Sequence, residues 1–239
     1  MYRRVTVHVV VAFVLVAMGH AVSADPTGDV QVGPSLQSQL NQMLAQKVEH
    51  ASDPDFLVRL ADLYLDLGDS LVGDQSKRRA AYEEGAKAAR EAIEVQERNA
   101  EAHYLYAANL GSSAQLTGLM ASALTVQELK RHVDRALALH PNHAAALHMK
   151  GMILEELPWV LGGDAEGALT HLRRAVAANP SYVHARLDLA KAYMKRKDSA
   201  AARKELDAIL SRPLSATASA SNRRYWEEAQ RLRNTLTGS

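Results

Sequence analysis

Leu157 to Pro213 reads LPWVLGGDAEGALTHLRRAVAANPSYVHARLDLAKAYMKRKDSAAARKELDAILSRP. From Pro180 onward it is one helix-turn-helix unit. Leu189, Ala190 and Tyr193 share a face of the first helix, and Ala202, Leu206 and Ile209 share a face of the second. Before it, Ala168, Leu172 and Ala175 form the second helix of another unit, closed by Pro180. Gly or Ala where helices cross lets two backbones approach, while larger apolar residues fill the flanking holes.

The same pattern extends towards the N-terminus. Leu57, Leu60, Ala61 and Tyr64 form one inner face, answered by Gly85, Ala89 and Ala92. His103, Tyr106, Ala107 and Leu110 begin another unit, and Leu147, Gly151 and Leu154 a third. The small residues Ala61, Ala107, Gly151 and Ala190 are 46, 44 and 39 positions apart. A tetratricopeptide (TPR) repeat has a period of about 34. The predicted fold is therefore all-α, a TPR-like solenoid of about four helix pairs. The surplus length is assigned to enlarged turns at Asp69–Arg79 and Gly111–Thr125. No unit can bury its apolar face alone, so the units must stack.

Flanking segments complete the domain plan. Residues 1–24 read as a signal peptide, with Arg3 and Arg4 before the apolar run Val9–Met18 and Val22-Ser23-Ala24 as a cleavage site. Residues 25–33 are a polar linker, and 34–213 the solenoid. Residues 214–239 are a loop and a C-terminal capping helix carrying Trp226, Ala229 and Leu232. The expected location is periplasmic or secreted.

Composition narrows the chemistry. There is no cysteine, so no disulfide, thiol nucleophile or thiolate metal site is available. Acidic and basic residues nearly balance and aromatics are scarce, which argues against nucleic acid as a partner. The sequence carries no G-x-S-x-G, P-loop or dinucleotide fingerprint. Asp62, Asp66 and Asp69, like Glu155 and Glu156, read as solvated helix faces rather than acid–base pairs. His140, His143 and His148 flank the Pro141 turn without the spacing of a metal site. The expectation is a protein without catalytic residues, metal or cofactor.

In a TPR array the first helix of each pair lines the concave side. The position after each large anchor and the one four residues on face the groove. That selects Val58, Asp62, Tyr104, Ala108, His148, Met152, Leu187 and Lys191, with His184 and Met194 on the same stripe. A groove of this mixed character suits an apolar helix or loop of a protein partner, or a small amphipathic solute. A structural part in an envelope or secretion assembly fits equally. In Pro158-Trp159-Val160-Leu161-Gly162-Gly163-Asp164, Trp159 is either a recognition residue or a plug for the turn. Gly162 and Gly163 permit positive φ, and Asp164 caps the next helix.

Tyr82-Glu83-Glu84-Gly85-Ala86, Ala107-Ala108-Asn109-Leu110-Gly111 and above all the segment Pro158–Asp164 resemble the T component (TatT) family of tripartite ATP-independent periplasmic (TRAP) transporters. That resemblance implies a periplasmic helical protein that associates with a solute-binding protein and can oligomerise. Many members of that family look like lipoproteins, a feature this cysteine-free chain does not share.

Overall fold

A computed structural model describes residues 35–71, 73–214 and 220–236. The proposed signal and linker therefore lie outside the described residues. Among those described, ten α-helices and one 3-10 turn account for the regular structure, with no strand. They are α1 (Leu36–Gln46), α2 (Pro54–Ser70), α3 (Gln75–Val95), α4 (Ala100–Thr117), α5 (Leu119–Leu139), α6 (Ala144–Glu156), α7 (Ala165–Ala178), α8 (Val183–Lys195), α9 (Ser199–Leu210) and α10 (Ala220–Thr235). The 3-10 turn spans Trp159–Leu161.

The helices pair in sequence order: α2 with α3, α4 with α5, α6 with α7, α8 with α9. α10 then packs on α8 and α9. Polar caps set the helix starts. Asp53 accepts from the backbone N–H of Asp55 and Phe56, with Pro54 at the first helical position. Asp74, Asn99, Asp164 and Asp198 cap α3, α4, α7 and α9 in the same manner. Such a cap contributes about 1 kcal/mol. His143 caps α6 through Nδ1, which accepts from the Ala146 N–H at 3.2 Å.

The surplus repeat length lies elsewhere than in the turns. Asp69–Arg79 is mostly helix: α2 runs to Ser70, α3 starts at Gln75, and only residues 71–74 connect them. Gly111–Thr125 is also helical, broken only at Gly118, whose φ of 121° a side chain would strain. The early repeats are long because their helices are long.

Close contacts account for the small residues. A Cβ on Gly68 would come within 2.3 Å of the Tyr82 ring, one on Gly85 within 2.2 Å of Asn109 Oδ1, and one on Gly151 within 2.8 Å of Leu172. Gly68 therefore serves as a helix contact, not as the end of α2.

The Trp159 turn is held by backbone. Leu161 N–H and Gly163 N–H both donate to Pro158 O, at 2.8 and 3.0 Å, and Asp164 N–H donates to Leu154 O at 3.0 Å. Gly162 alone of its glycines takes positive φ, at 91°. Gly163 is required for space, since a Cβ there would sit 1.8 Å from Leu157 O. Asp164 accepts from Gly167 N–H at 3.0 Å. Trp159 plugs nothing: it is 84% exposed, followed by exposed Val160 and Leu161.

Candidate functional site

The superhelix brings α10 across from α2. Between them lies a cavity of about 520 Å³. α2 contributes Asp62 and Leu65, and α4 contributes Glu101 and Tyr104. The α5–α6 turn supplies His140 and His143, with Ala144 and Ala145 from the start of α6. The turn before α8 adds Asn179, Ser181 and Tyr182, α8 adds Val183 and His184, and α10 adds Asn222 and Tyr225. None of these described lining residues is Lys or Arg.

Hydrogen bonds orient the wall. His143 Nδ1 is occupied as the α6 cap, so Nε2 carries the proton and donates to Glu101 Oε2 at 2.8 Å. Its ring lies 5.0 Å from that of Tyr104. The Tyr104 hydroxyl is pushed well above the usual tyrosine range, first by burial and then by the carboxylates of Glu101, Asp62, Asp69 and Asp66. The tyrosine thus sits in a negative field.

Beneath the wall lies a buried polar centre on Asp188. His148 Nε2–H donates to Asp188 Oδ2 at 2.8 Å, and His184 Nε2 lies 3.2 Å from the same oxygen. Lys191 Nζ donates to Asp188 Oδ1 at 3.3 Å and pairs with Glu228 at 2.9 Å. Burial alone would raise the Asp188 carboxyl, but the hydrogen bonds from His148 and His184 outweigh it and hold it well below the usual range. Burial foremost lowers His148, keeping its imidazole neutral. Its Nδ1 therefore accepts from the Tyr182 hydroxyl at 3.2 Å. His184 stacks on Tyr225, with ring centroids 4.3 Å apart.

His148, His184 and Asp188 also bring possible metal-ligand atoms within 4.8 Å of one another. The Lys191 ammonium on the carboxylate opposes a second cation there. The arrangement is satisfied chiefly as a hydrogen-bonded network. His140 and His143, grouped with His148 by sequence, lie instead at the cavity wall.

Of the residues selected by the groove rule, Asp62, Tyr104 and His184 line the cavity. His148 lies buried below it, and Lys191 is half-buried in the Asp188 centre. Val58, Met152 and Met194 are half-buried against the core. Leu187 is fully buried with Leu206, and Ala108 is buried as well. Trp159, Gly162, Gly163 and Asp164 form the separate turn already described. Glu101, His143, Tyr182 and Tyr225 were not anticipated. The first three precede or open their helices, outside the inner stripe that the groove rule reads, and Tyr225 belongs to α10.

Paired helices stacked around a concave cavity define a TPR-like helical-repeat protein, and a tetratricopeptide-repeat profile matches residues 161–213. The profile of regulator of microtubule dynamics proteins 1-3 matches residues 30–154, and the chain belongs to that family. Regulator of microtubule dynamics protein 3 of Bos taurus is 30% identical over 167 residues, covering 63% of this chain and 35% of the relative. Protein 1 of Bos taurus is 28% identical over 173 residues, covering 66% and 54%. The chain thus spans about a third to just over half of the length of these relatives. A thermophilic TPR protein of Thermus thermophilus shares the fold, with a TM-score of 0.60, 15% identity, and coverage of 82% of this chain and 90% of that one.

These findings overturn the transporter resemblance. The Pro158–Asp164 segment that chiefly carried it is a local turn that closes α6 and caps α7. The periplasmic or secreted location falls with it, because the relatives are regulators of microtubule dynamics from animals, whose cells have no periplasm. The Val9–Met18 run behind that location lies outside the described residues. Among the described residues no helix is long and apolar enough to cross a membrane.

Proposed function

We propose that the protein is a non-enzymatic helical-repeat adaptor that holds a protein partner in its concave cavity. The observation that carries this reading is the cavity itself. Its volume of about 520 Å³ falls within the usual range for ligand sites, roughly 300–1,000 Å³. Its walls are pre-oriented by the His143–Glu101 and Tyr182–His148 hydrogen bonds. The same volume supports a second reading, direct binding of a small amphipathic solute. The relatives' names make regulation of microtubule dynamics the first process in which to seek a partner.

Ala144 lines the cavity at the start of α6, so Ala144→Trp fills it from an edge rather than from the core. Wild-type protein and Lys204→Glu, changed on exposed α9 surface, are expected to capture the same partner from an extract, and Ala144→Trp to lose it. Circular dichroism checks that all three are folded. Capture of the same partner by Ala144→Trp, or of none by wild type, would overturn the reading.

A further inference from the structure

We propose that the Trp159 turn and the flank of α5 beside it form a second docking surface, for an amphipathic α-helix of a partner protein that carries a carboxylate within its apolar stripe. This surface lies apart from the concave cavity and does not depend on what the cavity holds.

Shape selects a helix. Lys130 Nζ lies 3.0 Å from where a Cβ on Gly162 would stand, so α5 passes the turn near Lys130. The part of α5 before Lys130, from Leu119 onward, rises beyond the turn. At 1.5 Å per residue that is about 16 Å of helix. The step exists because α6 and α7 have 13 and 14 residues whereas α5 has 21. A flat bilayer approaching the turn is obstructed by that rise. A helix lying against α5 with one end on the turn is not, and helices pack in this way at about 8–10 Å between axes.

Apolar exposure selects what the helix presents. Single exposed apolar residues are ordinary surface. Here Trp159, Val160 and Leu161 are exposed in succession. Four backbone hydrogen bonds already fix their turn, so little order has to be gained on binding. Leu124 on α5 is 80% exposed. Leu124, Gln127 and Lys130 follow one another at three-residue spacing, so a single ridge leads from Leu124 down to the turn.

Charge selects the carboxylate. Lys130 is half-buried and has no hydrogen bond or ion pair among the described residues. Its neighbours on α5 are paired, Arg131 with Glu128 at 3.7 Å and Asp134 with Lys150 at 2.6 Å. An ammonium placed between apolar side chains and left without an acceptor favours a carboxylate over a neutral or cationic group. Leu124 and Lys130 are about 9 Å apart along the axis. The fitting helix therefore carries apolar residues at i and i+7, with Asp or Glu at i+4.

The test uses the full chain, immobilised, with lactam-bridged helical peptides that have Leu at i and i+7 and Glu, Gln or Lys at i+4, the remaining inward positions being randomised. The Glu pool should be retained at least about tenfold better than the Gln and Lys pools. Lys130→Glu should reverse the order and favour the Lys pool. Trp159→Ser, at an exposed position, should lower retention of the Glu pool at least about tenfold. Circular dichroism checks that both variants are folded. Equal retention of the three pools, no retention of any, or an unchanged order in Lys130→Glu overturns the proposal. Co-flotation with phosphatidylserine vesicles that Trp159→Ser abolishes would make the occupant a bilayer and overturn it. A dimer in sedimentation that Trp159→Ser dissolves would make the occupant a second copy and overturn it too.

Discussion

The hairpin α2–α3 is built from helices of 17 and 21 residues, and α8–α9 from helices of 13 and 12. Both share the same plan of small residues at a crossing and apolar residues around it. They differ in how polar groups enter the core. In the early repeats the contacts are tight and run directly between neighbouring helices: Gly85 backs onto Asn109, which donates to the carbonyls of Ala61 and Leu105. In the late repeats one carboxylate, Asp188, gathers side chains from α6, α8 and α10 through His148, Lys191 and the Lys191–Glu228 pair. The long pairs are thus stitched helix to helix, and the short ones are tied through a charged centre. Family matching divides the chain in a similar place, with the family profile ending at residue 154 and the repeat profile starting at residue 161.

The comparison breaks most readily at Asp188. Asp188→Ala removes the acceptor of two buried histidines and leaves Lys191 with Glu228 alone. We expect a loss of about 3–5 kcal/mol in chemical denaturation. A loss below about 1 kcal/mol would mean that the late repeats do not depend on this centre.

Asp69 tests the early repeats through pH. Burial, first, raises its carboxyl to about 7. Its Oδ1 accepts from the Tyr82 hydroxyl at 2.7 Å, and its Oδ2 is buried without a partner. The native state therefore keeps a proton that the unfolded chain releases near pH 4, and this group's contribution to stability falls as pH rises from about 4 to about 7. The slope is at most about 1.4 kcal/mol per pH unit, some 4 kcal/mol over the window as an upper bound. His132 acts in the opposite sense. Burial, first, and the adjacent His103 lower it to about 4, so its contribution grows as pH rises from 4 to 6.5. The measurement is therefore the difference between Asp69→Asn and wild type. It should shift in favour of the variant up to about pH 7 and then level off. A difference flat in pH would show that Asp69 is ionised in the fold.

Glycine substitutions sharpen the contrast at smaller scale. Gly85→Ala forces Asn109 away from two carbonyls and should cost about 2–3 kcal/mol. Gly151→Ala meets the buried Leu172 side chain at 2.8 Å and Ala168 O at 3.2 Å but breaks no hydrogen bond, and should cost less, about 1–2 kcal/mol. Equal losses in thermal denaturation would erase the distinction between tight and adaptable crossings.

Much of the architecture was legible locally. Asp53-Pro54 and Asp164 announce helix starts, and Gly85 and Gly151 mark crossings, because caps and close approaches need particular residue types. The long helices were hidden by their composition. Gln75–Arg79 is almost wholly polar because that part of α3 faces solvent, and a helix with no apolar face there shows no period. Gly111, Ser112 and Ser113 look like loop residues, yet they are buried within α4. Asp62, Tyr104 and His184 could be placed by helical phase. Tyr182 and Tyr225 could not, since they reach the cavity from a turn and from the final helix. The His184–Asp188 pair carried a signal of its own, the i, i+4 spacing of an imidazole and a carboxylate on one helix face.

The sequence by itself determined an all-helical repeat protein, because a 3.6-residue period and small crossing residues encode which face of each helix is buried. Only the tertiary structure decided how far each helix runs, that Leu187 belongs to the core, and that Glu101, Tyr104, Tyr182, His184 and Tyr225 surround one cavity. The physical reason is that helical phase reports the direction a side chain takes from its own axis. What lies opposite depends on the turn of the superhelix, which accumulates over every stacked pair between α2 and α10.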